Sequence, residues 1–199
     1  GGYRGVEDYR WPILRERMTS GQFHVFNIVF IVLFQNALLL LIALPAHVAF
    51  ENRGTPVGAL DLGLAALFLA LLVGEFVADQ QQWSFQQAKA ATIAAGGEPQ
   101  ERFVTSGLWR VSRHPNFFFE QAQWWVLYAM GAVALGAALH WTLVGPVLLT
   151  ALFIGSTVFT ESITRGRYPE YAEYQRATSM LIPWIPRDRR GATADVPAS

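Results

Sequence analysis

At 199 residues the chain is long enough for one soluble domain, but 52% of it is hydrophobic and only 15% charged, with the apolar residues in long blocks. A net charge of zero removes the electrostatic case for a nucleic-acid partner. The absence of Cys excludes a disulfide framework and thiolate metal ligation.

The chain opens on a polar stretch, residues 1–22, with no secretory signal pattern. Its first residues, Gly-Gly-Tyr-Arg-Gly, read as the middle of a loop, so further spans are expected upstream. A bilayer core of roughly 30 Å needs about 20 apolar helical residues. Four segments meet that length, at about 23–50, 56–78, 117–141 and 143–163. None shows the period-2 alternation of a membrane barrel strand, so the expected fold is an all-α integral membrane domain. Short turns join spans one and two and spans three and four. Between spans two and three lies a polar segment, 79–116. Its first part, free of Pro and Gly through Ala95, suits an amphipathic helix lying at the interface, ended by Gly96-Gly97-Glu98-Pro99. A short helical tail is expected within 164–199.

Fourteen basic residues fall before span one, in the long loop or after span four, and only Arg53 falls on the other side. The positive-inside rule therefore places both termini and the long loop in the cytoplasm, in a bacterial inner membrane or, for a eukaryotic chain, the ER membrane.

Acids near span ends need a reason, since a charge deep in a span costs roughly 2.5–3.5 kcal/mol on insertion scales. Glu75 and Asp79 lie four apart on one helix face, Glu120 lies one turn into span three, and Glu161 lies near the end of span four. All sit at the depth of the Arg clusters, where pairing with Arg is the simplest expectation. Gln35 and Asn36, polar and mid-span, suggest hydrogen bonding between helices. No His/Asp/Glu set has metal-ligand spacing on one helix, so no metal is expected.

Two motifs carry chemistry. The first is Gly107-Leu-Trp-Arg-Val-Ser-Arg-His-Pro-Asn-Phe-Phe-Phe-Glu120. Its Arg110 and Arg113 are planar, permanently charged forks suited to phosphate. Pro115 suits the first turn of a helix, and Asn116 with the free N–H groups there makes an anion-binding corner beside Trp109 and His114. The second motif runs from Glu161 through Arg165, Tyr168, Tyr171 and Tyr174 to Pro183. Tyr171 and Tyr174 share a helical face and are placed to clamp a ring or donate to phosphate or ribose oxygens. Read structurally, the same residues are a basic loop and a tail anchored by an aromatic belt. Together they describe a site for a ring- and phosphate-bearing cofactor beside a lipid-accessible cavity. No Gly-rich turn follows a strand, so the cofactor would be held by the membrane helices and not by a Rossmann domain.

The Gly-Leu-Trp-Arg-x-Ser-Arg-His-Pro-Asn-Phe run with Glu120 resembles the signature of the steroid 5α-reductase superfamily, in its bacterial and fungal branch. Glu75-Phe-Val-Ala-Asp79, Glu-Asp-Tyr-Arg-Trp at 7–11 and Tyr-x-x-Tyr-x-x-x-Thr-Ser-Met-Leu-Ile-Pro extend the likeness over nearly the whole chain. The resemblance implies NADPH-dependent reduction of an activated carbon–carbon double bond in a steroid-like or isoprenoid lipid held within the bilayer. It implies that Glu75 and Asp79 face the cofactor, that Trp109, Arg113, Asn116 and Phe117 meet its adenosine-phosphate and ribose region, and that Glu161, Arg165, Tyr168 and Tyr174 close the pocket. If Arg113 meets the 2′-phosphate, Arg113→Ala weakens NADPH binding more than NADH binding. Many relatives have Tyr where Phe117 stands, whose loss removes a hydrogen bond of roughly 0.5–1.5 kcal/mol, and Gly where Phe119 stands, so that Phe119 narrows the space. The Glu and Tyr that polarise the substrate carbonyl in steroid reductases belong to segments upstream of Gly1, and no catalytic acid is assigned. The rival readings are an isoprenylcysteine-methyltransferase-like enzyme using S-adenosylmethionine, which shares Arg-His-Pro and a Tyr-rich tail, and a cofactor-binding membrane protein without catalysis.

Overall fold

The computed structural model describes residues 10–186, which are mostly helical, with no strand among them. The Glu-Asp-Tyr-Arg-Trp run at 7–11 and the basic residues Arg4, Arg187, Arg189 and Arg190 lie wholly or partly outside the described residues.

A short helix α1 (Arg10–Glu16) leads to α2 (Ser20–Phe26), whose start is capped reciprocally by Thr19 and Gln22. A π-helical stretch, Asn27–Phe34, connects α2 to α3 (Gln35–Glu51) without a break in the rod. Phe26, Phe30 and Phe34, four residues apart, stack along it with ring centroids 5.1 and 5.4 Å apart. Then follow α4 (Ala59–Ala94), α5 (Pro115–Leu135), α6 (Val144–Arg167) and α7 (Tyr171–Ala177).

Three stretches are long and apolar enough to cross a membrane: Ser20–Glu51, Ala59–Ala94 and Trp141–Arg167. The segment expected as the third of four spans is not among them. Helix α5 has the length, but Asn116, Glu120, Gln121 and Gln123 dilute its first half, and Gln121 and Gln123 are buried. It packs against α3, α4 and α6 and is the central helix of the bundle. It also ends six residues earlier than the hydropathy suggests, because Gly136 adopts a left-handed conformation (φ 72°) and closes it.

The expected interfacial helix does not form as a separate element. Helix α4 runs unbroken for 36 residues, since nothing between Ala78 and Ala94 removes a backbone donor or adds a flexible point. At 1.5 Å per residue it is about 54 Å long, so its second half extends well beyond a bilayer core. It ends where Gly96 takes φ 78°. At its start the Asp61 carboxylate accepts from the Gly58 N–H, 2.8 Å away. Asn36 also departs from expectation: its amide donates to Val32 O in its own helix at 2.6 Å, not to a neighbour.

Leu38 and Ile42 of α3 and Leu149 of α6 form the apolar centre, with Trp124 and Phe153 packed on them. Leu39, Leu40, Leu62, Leu69 and Phe76 instead point outward and are exposed, giving the surface a bilayer would cover. The bundle closes by backbone approach at two glycines, Gly131 against Pro45 and Gly145 against Leu41.

Candidate functional site

The two motifs are stitched into one assembly. Around the 3-10 turn Gly107–Arg110 and the following loop, the Arg113 N–H donates to Ser179 O (2.8 Å), the Trp184 N–H to Val111 O (2.9 Å), and the Ser112 hydroxyl to Leu181 O (2.7 Å). The Tyr174 phenol donates to Trp109 O, and the Trp109 indole donates to Ala78 O of α4 at 3.1 Å. The tail thus clamps the Arg-His-Pro loop against α4 and α6.

At the centre sits Glu161, 5% exposed. Its carboxylate accepts from Arg113 Nε (2.6 Å) and Nη2 (3.0 Å), His114 Nε2 (3.1 Å), the Tyr171 phenol (3.2 Å) and Gln175 Nε2 (2.8 Å). For His114 this geometry requires the proton on Nε2. Arg113 Nη1 also donates to Gln175 O (2.9 Å) and to Thr178 O. Four of the five guanidinium N–H groups of Arg113 therefore already have protein acceptors. The expectation that Arg113 greets a 2′-phosphate meets a side chain committed to holding the loop, tail and α6 together.

The tyrosines divide in the same way. The hydroxyls of Tyr171 and Tyr174, expected to donate to a cofactor, have Glu161 and Trp109 O as acceptors. Their rings surround Phe103, with centroids 4.9 and 5.6 Å from it, and Tyr168 lies 6.4 Å away. Burial, and then the neighbouring Glu161 carboxylate, push the Tyr171 phenol above its ordinary value. A raised value means that the stability contributed by the neutral phenol is complete below the unfolded-state value of about 10 and declines as pH climbs past it. We expect alkaline thermal melts in detergent to fall more steeply for the wild type than for Tyr171→Phe above about pH 10. Parallel curves would reject this coupling.

Beside the assembly lies a cavity of about 460 Å³ between α4, α6, α7 and the start of α5. Of the residues expected at a site, Trp109, Arg113, His114, Asn116, Phe117, Tyr168, Tyr171 and Tyr174 line it. Others are elsewhere. Arg110 is exposed and off the cavity wall. Arg165 lies on a separate groove along the other side of α6, where Glu161 also shows an edge. Glu75, Asp79 and Glu120 gather on the α4–α5 seam. There the Gln123 amide donates to Glu75, and the Asn116 amide donates to Asp79 at 3.0 Å. Glu120 is within electrostatic reach of both acids. The four acids therefore form two groups, and among the described residues only Glu161 has the Arg partner expected of all of them. Phe119 does not narrow the cavity: its ring lies on Gly74, where an added Cβ would fall 2.5 Å from it.

Sequence reasoning missed part of the wall. Gln82, Gln86 and Lys89 recur at i, i+4 and i+7 on α4, and Thr160, Ile163, Thr164 and Arg167 at i, i+3, i+4 and i+7 on α6, so each set shares one helix face. That polar periodicity, at the ends of otherwise apolar rods, was the available signal. Among the described residues, no Asp or Glu lines the cavity. Three buried side-chain oxygens without a hydrogen-bond partner, Gln82 Oε1, Asn116 Oδ1 and Thr160 Oγ1, belong to its wall. Asn116 donates its amide to Asp79, so its free oxygen is an acceptor awaiting a donor.

Among the described residues, the fold and site define a helical bundle with three helices long and apolar enough to cross a membrane and a polar cavity lined by no Asp or Glu. The chain belongs to the DUF1295 family, described as proteins of unknown function, whose family model matches residues 2–178. It is 35% identical over 195 residues to an uncharacterised protein of Schizosaccharomyces pombe, an alignment covering 92% of this chain. The chain spans 57% of that relative's length. No solved structure matches it.

Proposed function

We propose that this protein is a membrane-embedded, NADPH-dependent reductase of a carbon–carbon double bond in a steroid-like or isoprenoid lipid. The observation that carries the reading is the cavity: unpartnered buried acceptors within, aromatic rings along the wall, and cations but no Asp or Glu among its described lining residues. Buried acceptors without donors are costly, at about 1–3 kcal/mol each, and a ligand that brings N–H groups relieves that cost. A carboxamide or an amino-purine brings such groups, and a phosphorylated dinucleotide supplies the anionic end. The resemblance of residues 107–120 and 161–183 to the steroid 5α-reductase signature supports the same class, and the positive-inside rule supports a cytosolic orientation of the cavity mouth, the side on which such a cofactor is found.

NADPH, when bound, supplies the hydride for one alkene carbon, and a proton must reach the other. The residues of this chain have the binding half of the task. Glu161, Arg113, His114 and Tyr171 hold the Arg-His-Pro loop rigid, so that Asn116 and Phe117 present a fixed face to the cavity. Their own groups are saturated by one another, and none of them is assigned as the proton donor.

S-adenosylmethionine carries a sulfonium and an amine, and a mouth with excess positive charge and no acid suits it less well than a polyphosphate. Thermal denaturation in detergent separates the readings. NADPH at about 100 times its Kd should stabilise the protein by about 2.7 kcal/mol. Stabilisation by S-adenosylmethionine and not by NADPH overturns the reductase reading. NADPH binding without oxidation across a panel of enone lipids leaves a cofactor-binding protein without catalysis.

A further inference from the structure

Of the cations that the two motifs bring forward, only Arg167 lines the cavity without a carboxylate partner among the described residues. Arg113 is neutralised by Glu161 and held by two backbone carbonyls, and Arg110 is off the wall. Three other cations gather at the mouth, from three separate segments: Lys89 of α4, Arg102 of the α4–α5 connection, and Arg167 at the end of α6. Lys89 Nζ stands 5.2 Å from the centroid of the Tyr168 ring, and the Arg167 guanidinium stands 5.5 Å from the same centroid. Two like charges thus share one aromatic platform. Lys89 donates to the Arg102 carbonyl at 2.6 Å, which brings the third cation's segment to the same place and leaves two of the ammonium's three donors.

Counter-charge is nearly absent. Among the described residues neither Lys89 nor Arg167 has a carboxylate within 4.0 Å, and the Glu98 partner of Arg102 is 3.9 Å away with a side chain 91% exposed, a weak pairing. Like charges drawn together without acids repel, and a fold maintains such a cluster when an anion offsets it. Two planar guanidinium forks and one ammonium match the oxygens of a phosphoryl group. Lys89 also stands on the helix face of Gln82 and Gln86, so the charged rim runs directly into the wall that carries the unpartnered acceptors.

We propose that Lys89 and Arg167, beside the Tyr168 ring, and Arg102 on the same cavity rim form a phosphoryl-anion site, and that the dinucleotide's phosphate docks there and not on Arg113. The dinucleotide as occupant rests on the reductase reading, whereas the anion site itself does not. The same chemistry would take an anionic lipid headgroup, so the test must separate the two sources.

The test uses the full chain in neutral detergent, with Lys89→Gln, Arg167→Gln and the double variant. Melting temperature is followed against NADPH, NADH and inorganic pyrophosphate, and in phosphatidylcholine nanodiscs with and without phosphatidylglycerol. We expect pyrophosphate and NADPH to stabilise the wild type. Each single variant should raise the Kd for NADPH at least tenfold, and the unliganded variants should melt at or slightly above the wild-type temperature, because a repulsion has been removed. NADPH binding the wild type and the double variant equally would overturn the rim while leaving the reductase reading standing. Stabilisation by pyrophosphate or phosphatidylglycerol, lost in the double variant, with no response to NADPH, would support the anion site and overturn the dinucleotide as its occupant. No response of the wild type to any phosphate compound would overturn the site.

Discussion

Replacing Arg113 by alanine should cost about 3–5 kcal/mol of stability, because it leaves the largely buried Glu161 carboxylate without its charged partner. Arg113 is 8% exposed and Glu161 5%, and the guanidinium holds α6, the Arg-His-Pro loop and the tail carbonyls of Gln175 and Thr178 at once. His114, Tyr171 and Gln175 would remain on Glu161, but three neutral donors do not replace a bidentate charge. Lysine at 113 should recover only part of the loss, since an ammonium reaches fewer of these four acceptor positions in their fixed plane. Arg110→Ala is the control within the same motif. Its side chain is exposed, so the change should stay within about 0.5 kcal/mol. Thermal or denaturant unfolding in detergent decides the matter, and equal losses for Arg110→Ala and Arg113→Ala would sink the account of Arg113 as the central tie.

The second large effect lies in the core of the bundle. At Gly145 an added Cβ would fall 2.5 Å from the Leu41 carbonyl oxygen, 2.7 Å from its carbon and 2.9 Å from Ile42 N, all backbone atoms that no rotamer change can move. Leu41 is also four residues before Pro45, which has no N–H to give, so its carbonyl lacks the usual helical donor. Gly145→Val should therefore force α3 and α6 apart and cost about 1–3 kcal/mol or more. Gly155→Val, on the same helix with open space beside it, should not reproduce this beyond its small propensity term. Comparable melting temperatures for the two valine variants would show that the close approach at Leu41 is not what joins these helices.

Much of the fold was legible along the chain, for a simple reason. A bilayer imposes length and hydropathy on each helix separately, and both can be counted in sequence: the first and last apolar rods, the start of the second, the Gly96 stop and the Pro115 start all fall within a few residues of expectation. The errors came where a neighbour decides. Helix α5 has the length expected of a span but more polarity than the other rods, with Gln121 and Gln123 buried against its neighbours, and Asn36 finds its acceptor within its own helix.

The candidate site divides along the same line. Local patterns show which residues are chemically capable: two guanidinium forks, a His-Pro-Asn helix start, three phenols and the acids at one depth. They do not show which of these capacities are already used. Whether Arg113 meets a ligand or Glu161 depends on a residue 48 positions away, and whether Tyr174 is free depends on Trp109, 65 positions away. Sequence by itself determined the membrane rods, the chemical character of the two motifs and their placement at one end of the bundle, because burial in lipid and helical periodicity act over a few turns. Only the tertiary structure decided that the motifs satisfy each other and that Lys89, Arg102 and Arg167 are left facing the cavity, because hydrogen-bond saturation and charge pairing act between segments that meet only when the chain is folded.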